Sequence, residues 1–368
     1  MVKKRLQLSA FLLYIGGIFF FTHHVSAQEL SEDIGISLSP VKFEFEGAPG
    51  DILEGEIKYY NYTSTEKIIY LRNYNFESIG ESNVPAFIYS GLEPYNTTLK
   101  DWIKLDQTEI IVDPVEPVRI HPTIVKFQIE IPEDASPGGY YAAVIQSQRS
   151  LSTEELKSSG TVISPESACL FILNVTGDVT RLGTSESFYV TNPYDKDKKP
   201  LKLFEFPPVQ FIARIRNSGN SHFKPQGNIF LYKGKRQIAS YQVNEGEGAI
   251  LRDSVRMFEE EVWGEDTFLL REPKMDENGE QILDKKGNVK TTLKINWDKL
   301  SKIPFGKYRA KLSLVYDNNN QKKTIEDEIV FWIIPWRFLL VIITLICGII
   351  GLYLYKKSRE KGVQKYHD

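Results

Sequence analysis

The sequence predicts an all-β fold: two tandem immunoglobulin-like β-sandwiches followed by one C-terminal transmembrane helix. Three observations predict it. Short runs rich in Val, Ile, Tyr and Phe recur from residue 36 to residue 333, separated by Pro, Gly and Asn. The same strand, turn and strand pattern occurs once in each half of the chain. The stretch 338–355 then holds 18 residues without a charge.

Residues 1–27 have the parts of a secretory signal peptide. Lys3, Lys4 and Arg5 lead, an apolar run follows from Leu8 to Phe21, and Val25-Ser26-Ala27 occupies the cleavage positions. An uncleaved membrane helix is the alternative. No cysteine follows the cleavage positions, so no lipoprotein anchor is expected.

The first sandwich is expected over 28–178. Strands are read at 36–38, 42–45, 53–60, 67–75, 123–131, 140–146 and 168–175. In 54–61, Ile57 and Tyr59 share one face while Glu56 and Lys58 share the other. In 123–131, Val125, Phe127, Ile129 and Ile131 alternate with Lys126, Gln128 and Glu130. A period of two marks strands with one buried and one wet face. Residues 76–122 form a less regular insertion holding Trp102, Pro114, Pro117 and Pro122, and residues 152–159 a short tip.

The boundary falls near 177–181, and the second sandwich is expected over 179–334. Its strands are read at 209–216, 228–232, 237–243, 254–261, 291–297, 308–316 and 326–333. Residues 192–200 form a charged loop. Residues 272–290, with Asn278-Gly279 and Gly287-Asn288, read as a polar hairpin. Each half carries a related turn: Pro137-Gly138-Gly139-Tyr140 in the first, Pro304-Phe305-Gly306-Lys307-Tyr308 in the second. Pro and Gly set the bend and the Tyr begins the next strand. This supports two related sandwiches in tandem, with convergence on a common hairpin as the other reading.

The membrane segment is placed at 335–355. Its 18 uncharged residues cover about 27 Å as a helix, close to the hydrocarbon thickness. Trp332 and Trp336 stand at the near interface, and Lys356 and Lys357 open a basic tail over 356–368. Basic flanks stay cytoplasmic, so the bulk of the chain is expected outside a single-pass cell-membrane anchor.

Charge and composition exclude several function classes. The whole chain carries 45 Lys and Arg against 48 Asp and Glu. Removing the +3 of the leader and the +4 of the segment from Arg337 onward leaves 28–336 at −10. An acidic ectodomain does not attract nucleic acid by bulk charge. Cys169 and Cys347 are the two cysteines, and Cys347 lies in the span, so no disulfide within the ectodomain is expected. His121 and His222 are the ectodomain histidines, and neither sits at a zinc-ligand spacing. GxSxG and P-loop motifs are absent. The run Glu259-Glu260-Glu261 reads as a solvated edge. No enzyme activity, metal or cofactor is expected. Asn61, Asn96 and Asn174 open glycan-acceptor triplets, a common pattern by chance.

Binding is therefore sought in rings and sheet edges. Trp102 lies in the loop-rich part of the first sandwich, with Phe87 and Tyr95 as further rings of that stretch. An exposed Trp there stacks on a sugar or anchors a protein partner, whereas a buried one plugs the end of the core. Trp263 is read as core or hairpin packing.

The stretch 35–72, with Pro40, the Pro49-Gly50 turn and Asn61 ending a strand, resembles the first domain of Gram-positive surface proteins that interact with WxL-domain proteins. The hairpin 129–145 resembles the same family, and the layout of leader, two sandwiches, one span and basic tail agrees with it. The resemblance implies a first domain that touches peptidoglycan and a second that presents a surface to partners or host. Similar opening strands occur in pilus-chaperone-like domains, whose sheet edges accept a partner strand; such chaperones are free in the periplasm, and the span argues against a direct match. The expected function is that of a non-enzymatic, membrane-anchored binding or scaffold protein. Its expected partners are the lipid bilayer, peptidoglycan, and WxL-type or other surface proteins. The alternative is an accessory or sensory subunit of a membrane complex.

Overall fold

A computed structural model describes residues 35–82, 84–88, 99–115, 121–148, 167–259 and 262–364. The leader, Tyr95, Asn96 and the 152–159 tip lie outside the described residues.

The first sandwich contains β1 (Ile36–Ser39), β2 (Lys42–Gly47), β3 (Ile52–Asn61), β4 (Lys67–Ile79), β5 (Val84–Ile88), the helical turn α1 (Leu99–Trp102), β6 (Ile103–Leu105), β7 (Glu109–Val112), β8 (Thr123–Glu130), β9 (Gly138–Ser147) and β10 (Ser167–Val175). One sheet runs β1-β3-β8-β6 and the other β2-β10-β9-β4-β5, with β7 also paired to β4. The alternation read from the sequence is what the core uses. Ile57, Tyr59, Val125, Phe127 and Ile129 are buried, and they meet Phe171 and Leu173 of the facing sheet. Phe127 stands edge-on to Phe171 at 4.8 Å between ring centres. Cys169 is buried too; its thiol donates to the Pro40 carbonyl at 3.2 Å, and burial pushes its pKa up to about 12.

The second sandwich contains β11 (Gly183–Thr191), β12 (Leu203–Phe204), β13 (Val209–Asn217), β14 (Gln226–Lys233), β15 (Arg236–Val243), β16 (Val255–Phe258), β17 (Val262–Trp263), β18 (Leu269–Pro273), β19 (Thr291–Ile295), β20 (Gly306–Asn318) and β21 (Gln321–Ile333). Its sheets run β11-β13-β16, with β17 on β13, and β12-β21-β20-β14-β15. Strand for strand this matches the first sandwich: β1, β2, β3, β4, β5, β9 and β10 correspond to β11, β12, β13, β14, β15, β20 and β21. Both β2 and β12 pair parallel with the strand that closes their sandwich, β10 and β21. The two halves thus share one topology, with different excursions inserted. In the first, residues 89–122 lie between β5 and β8. In the second, residues 264–305 lie between β17 and β20 and include the antiparallel ribbon of β18 and β19.

Strand β9 is buried on both faces. Tyr140, Ala142 and Val144 face the first core. Tyr141, Ala143 and Ile145 instead form a second apolar cluster with Phe76, Ile172 and, from the other sandwich, Ala249 and Leu251. A strand buried on both sides reads as a continuous apolar run, which is how Gly-Gly-Tyr-Tyr-Ala-Ala-Val-Ile appears. Hydrogen bonds close this joint. Gly139 N–H donates to the Asn220 carbonyl at 2.9 Å, and the Ser221 hydroxyl donates to Asn174 Oδ1 at 2.7 Å. Gly138 sits at φ +143, and a Cβ there would lie 2.7 Å from the Asn220 carbonyl oxygen. Glycine is what lets the two backbones approach. The β4–β5 turn adds a brace: Glu81 takes both donors of a forked pair from Arg214, and its carbonyl accepts from Met257 N–H at 2.9 Å. Arg214 holds the Glu81 carboxyl below the usual range.

The helix α1 gives way, at the chain's other end, to α2 (Trp336–Gln364). Only Ile334 and Pro335 separate it from β21. The Pro335 carbonyl accepts the bond of the first turn from Leu339 N–H at 3.0 Å. Trp336–Lys356 has a mean hydropathy of 2.6, and none of its most apolar stretch is buried against the rest of the chain. The one hydroxyl in its middle, Thr344, donates back to the Leu340 carbonyl at 2.8 Å, so it is satisfied within the helix.

Candidate binding surfaces

The ring residues singled out in the sequence occupy different surroundings. Trp102 ends α1 and packs half-buried against the first core, its ring centre 4.7 Å from that of Tyr140. The second sandwich repeats this contact: Trp263 lies 4.8 Å from Tyr308. Tyr140 and Tyr308 are the tyrosines of the two related Pro-Gly turns. The Tyr140 hydroxyl donates to the Ser136 carbonyl at 2.8 Å, pinning that turn. Phe87, on β5, stands edge-on to Phe76 at 6.4 Å and lies at the margin of the joint between the sandwiches. The structure thus places Trp102 and Phe87 on different faces of the first sandwich.

The triplet asparagines Asn61 and Asn174 are buried. Asn61 Nδ2 donates to the carbonyls of Thr65 and Val112, both at 2.8 Å, and its Oδ1 accepts from Thr63 N–H at 2.9 Å. A side chain used in this way is not presented for modification.

Among the described residues no group of three or more His, Cys, Asp or Glu side chains converges to hold a metal. His222 lies at the joint, its ring 5.8 Å from that of Tyr141, with Nδ1 buried and unpartnered. Burial first, and the nearby Arg181 charge second, lower its pKa from 6.5 to about 4; Glu44 opposes, and Lys224 and Lys42 assist. A folded-state value below the unfolded one means that protons favour the unfolded chain. The stabilisation is complete above about pH 6.5 and is lost as pH falls towards 4, by roughly 3 kcal/mol. Glu44 and Glu81 have folded values below 4.5, so their stabilisation is lost only at lower pH. For Glu44, burial raises the value but Lys224 and Lys42 outweigh it. Urea midpoints are therefore expected to fall between pH 6.5 and 4.5 in the native chain. The His222→Asn variant is expected to hold level across that window. An equal fall in the variant would remove His222 as the cause.

The end of the second sandwich opposite the joint is built differently. The 264–305 excursion covers it. Phe268 and Leu269 are buried with Phe206, and Phe268 N–H donates to the Lys302 carbonyl at 3.1 Å. Tyr194 of the 192–200 loop links to the excursion on both sides: its hydroxyl donates to the Arg271 carbonyl at 3.1 Å, and its carbonyl accepts from Val289 N–H at 2.9 Å. Asp276 and Asp284 each accept backbone N–H groups two and four residues on, which closes the two tight turns of the polar hairpin. Beside it, the near-buried carboxylate of Glu205 has Arg271 and Arg337 each at 3.6 Å. An open cleft of about 750 Å³ lies between β15, β17 and residues 301–304, with Trp263, Tyr241 and Tyr308 among its walls. Its cations are Lys233, Arg236 and Lys302, but Asp266 and Glu265 share the lining and Asp266 pairs with Lys302.

Trp332 and Trp336 flank the start of α2 and are 44 % and 48 % exposed. Lys356 closes the apolar stretch, and the helix backbone continues through Lys357.

No family model matches this chain, and no curated protein does. Among solved structures it is similar to the class 5 fimbriae chaperone CfaA, at 9 % identity over 71 % of this chain and 100 % of that one, TM-score 0.32. It is also similar to a chaperone–tip adhesion subunit complex of the Csu pili of Acinetobacter baumannii, at 8 % identity over 79 % and 97 %, TM-score 0.32. A third is a family 123 glycoside hydrolase from Clostridium perfringens, at 12 % identity and TM-score 0.25, of which this chain spans only 27 %. Scores this low assign neither activity nor partner; the fold is read from the strand order above.

Proposed function

We propose that this chain is a non-enzymatic scaffold, held in the cell membrane by α2, whose first sandwich contacts the cell envelope through peptidoglycan or a surface protein of the WxL type. The observation that carries the reading is the joint. Because β9 is buried on both faces and Glu81 is forked onto Arg214, the first sandwich does not swing freely on the second. Strand β20 runs the length of the second sandwich from the helix end to the joint, about 40 Å at the usual rise per residue. A rigid spacer on a membrane helix holds a binding domain at a set height. Edge strand β2 carries Lys42, Glu44 and Glu46, with Glu44 bridged to Lys224 of the second sandwich, and these charges blunt it against strand addition. Loops and rings are the better candidates for contact.

Sedimentation of the detergent-solubilised chain with insoluble peptidoglycan tests the ligand. Saturable pelleting, reduced by Trp102→Phe at an unchanged thermal midpoint, is the expected result. Absence of pelleting would remove peptidoglycan and leave a protein partner to be sought.

A further inference from the structure

Four large apolar side chains, Trp297, Leu300, Ile303 and Phe305, are exposed within one short segment of the second sandwich, Trp297 by 74 %. A folded domain rarely leaves such a cluster in water unless something covers it. The segment is not loose. Trp297 stands edge-on to Phe268 at 5.6 Å, and Lys299 and Lys302 both bridge Asp266.

Its place in the fold names the cover. Phe305 precedes Gly306, which pairs with Ile333, and Ile333 is three residues before the helix begins at Trp336. Lys307 pairs with Trp332 in the same ladder. The excursion and the first turn of the helix also share a carboxylate, since Arg271 and Arg337 both approach Glu205. The apolar segment and the exposed indoles of Trp332 and Trp336 therefore lie at one end of the molecule, continuous with the apolar helix. Trp, Phe and aliphatic residues interspersed with Lys are the composition of surfaces that settle at the headgroup level.

We propose that residues 297–305 form a membrane-interface contact. Their rings and aliphatic chains enter the headgroup region of the leaflet on the sandwich side, beside the span. This second foothold would fix the tilt of the sandwiches, which a single helix leaves free. The proposal rests on reading α2 as a span, and the test separates the two.

The full chain carrying Cys347→Ser leaves only the buried Cys169 thiol. Single cysteines are added by Leu300→Cys, Leu345→Cys in the helix, or Asn319→Cys at the joint end, and each is labelled with an environment-sensitive fluorophore. The proteins are reconstituted into phosphatidylcholine–phosphatidylglycerol vesicles with nitroxides on either headgroups or acyl chains. The expected result is loss of emission at 345 with acyl nitroxides, loss at 300 with headgroup nitroxides, and no loss at 319. Quenching at 345 with position 300 behaving as 319 would overturn the contact and leave the span standing. No quenching at 345 would overturn both. A blue shift at 300 without quenching would mean that a second copy of the chain covers the segment, and would also overturn the proposal. Ile303→Cys repeats the measurement should Leu300→Cys fail to fold.

Discussion

Tyr141→Ala is expected to cost about 3–5 kcal/mol and to split one unfolding transition into two. The side chain is buried between the sandwiches, 5.9 Å from the Phe76 ring and 5.8 Å from His222. Its hydroxyl accepts the Arg252 N–H at 3.3 Å, and burial pushes its pKa up. Truncation empties the middle of the apolar cluster that couples the two cores. Each sandwich keeps its own core, so the loss falls on their cooperation. Calorimetry of the detergent-solubilised chain should show one cooperative transition for the native protein. The variant should show two, with the lower one shifted most. Tyr141→Phe keeps the ring and gives up only the hydroxyl's bonds with the backbone, that from Arg252 being long, so about 1 kcal/mol is expected from it. One undivided transition in Tyr141→Ala would mean that the remaining polar bonds suffice to hold the joint.

Much of this architecture is visible in the chain, for a physical reason. Where a strand has one wet face, as β3, β8 and β20 do, burial imposes a period of two that a reader can count. Both tyrosines after the Pro-Gly turns could be matched across the halves because a turn imposes local residue choices. Strand β11 shows the opposite case. Its Gly-Thr-Ser-Glu-Ser run has little apolar signal, and it becomes a strand because β13 pairs with it, around an irregularity between Ser185 and Ser187. Residues 254–261 read as one strand; β16 occupies Val255–Phe258 of it, and β17 follows beyond it at Val262–Trp263, both pairing to β13. Residues 291–297 shorten to β19, and Trp297 turns into a short 3₁₀ helix instead. Its ring is exposed there, as are Leu293 and Ile295 of β19.

The surfaces were less legible than the cores. Glu81 and Arg214 lie far apart in the chain, and nothing local to either says that they meet. The apolar run of β9 announces burial on two sides without naming what supplies the second. Trp102 and Trp263 approach their tyrosines from different elements, α1 and β17, so spacing alone does not relate them. The apolar character of 297–305 is plain in the sequence, yet only its exposure and its place beside Ile333 distinguish a contact surface from a core.

Asn217→Ala is expected to destabilise the chain by about 3 kcal/mol and to loosen the joint as well. Asn217 is fully buried at the end of β13. Its Nδ2 reaches the carbonyls of Ser221, Ile250 and Leu251 at 2.8, 3.0 and 3.1 Å, and its Oδ1 accepts from Gly219 N–H at 3.0 Å. Alanine removes the partner of the Ser221 carbonyl and of Gly219 N–H in a buried place, while the Ile250 and Leu251 carbonyls keep Phe223 N–H and the Ser254 hydroxyl. Asn61, at the end of the equivalent strand β3, holds its own turn in the same way, and Asn61→Ala is expected to cost a similar amount. The difference lies in what the turns carry. The Asn217 turn presents Asn220 and Ser221 to the first sandwich, whereas the Asn61 turn closes on Thr65 and Val112 within its own domain. Double-mutant cycles with Tyr141→Ala, read by urea unfolding, should distinguish them. Asn217→Ala and Tyr141→Ala act through one joint and should be non-additive, while Asn61→Ala and Tyr141→Ala should add. Additivity in both cycles would mean that the Asn217 turn stabilises only its own sandwich.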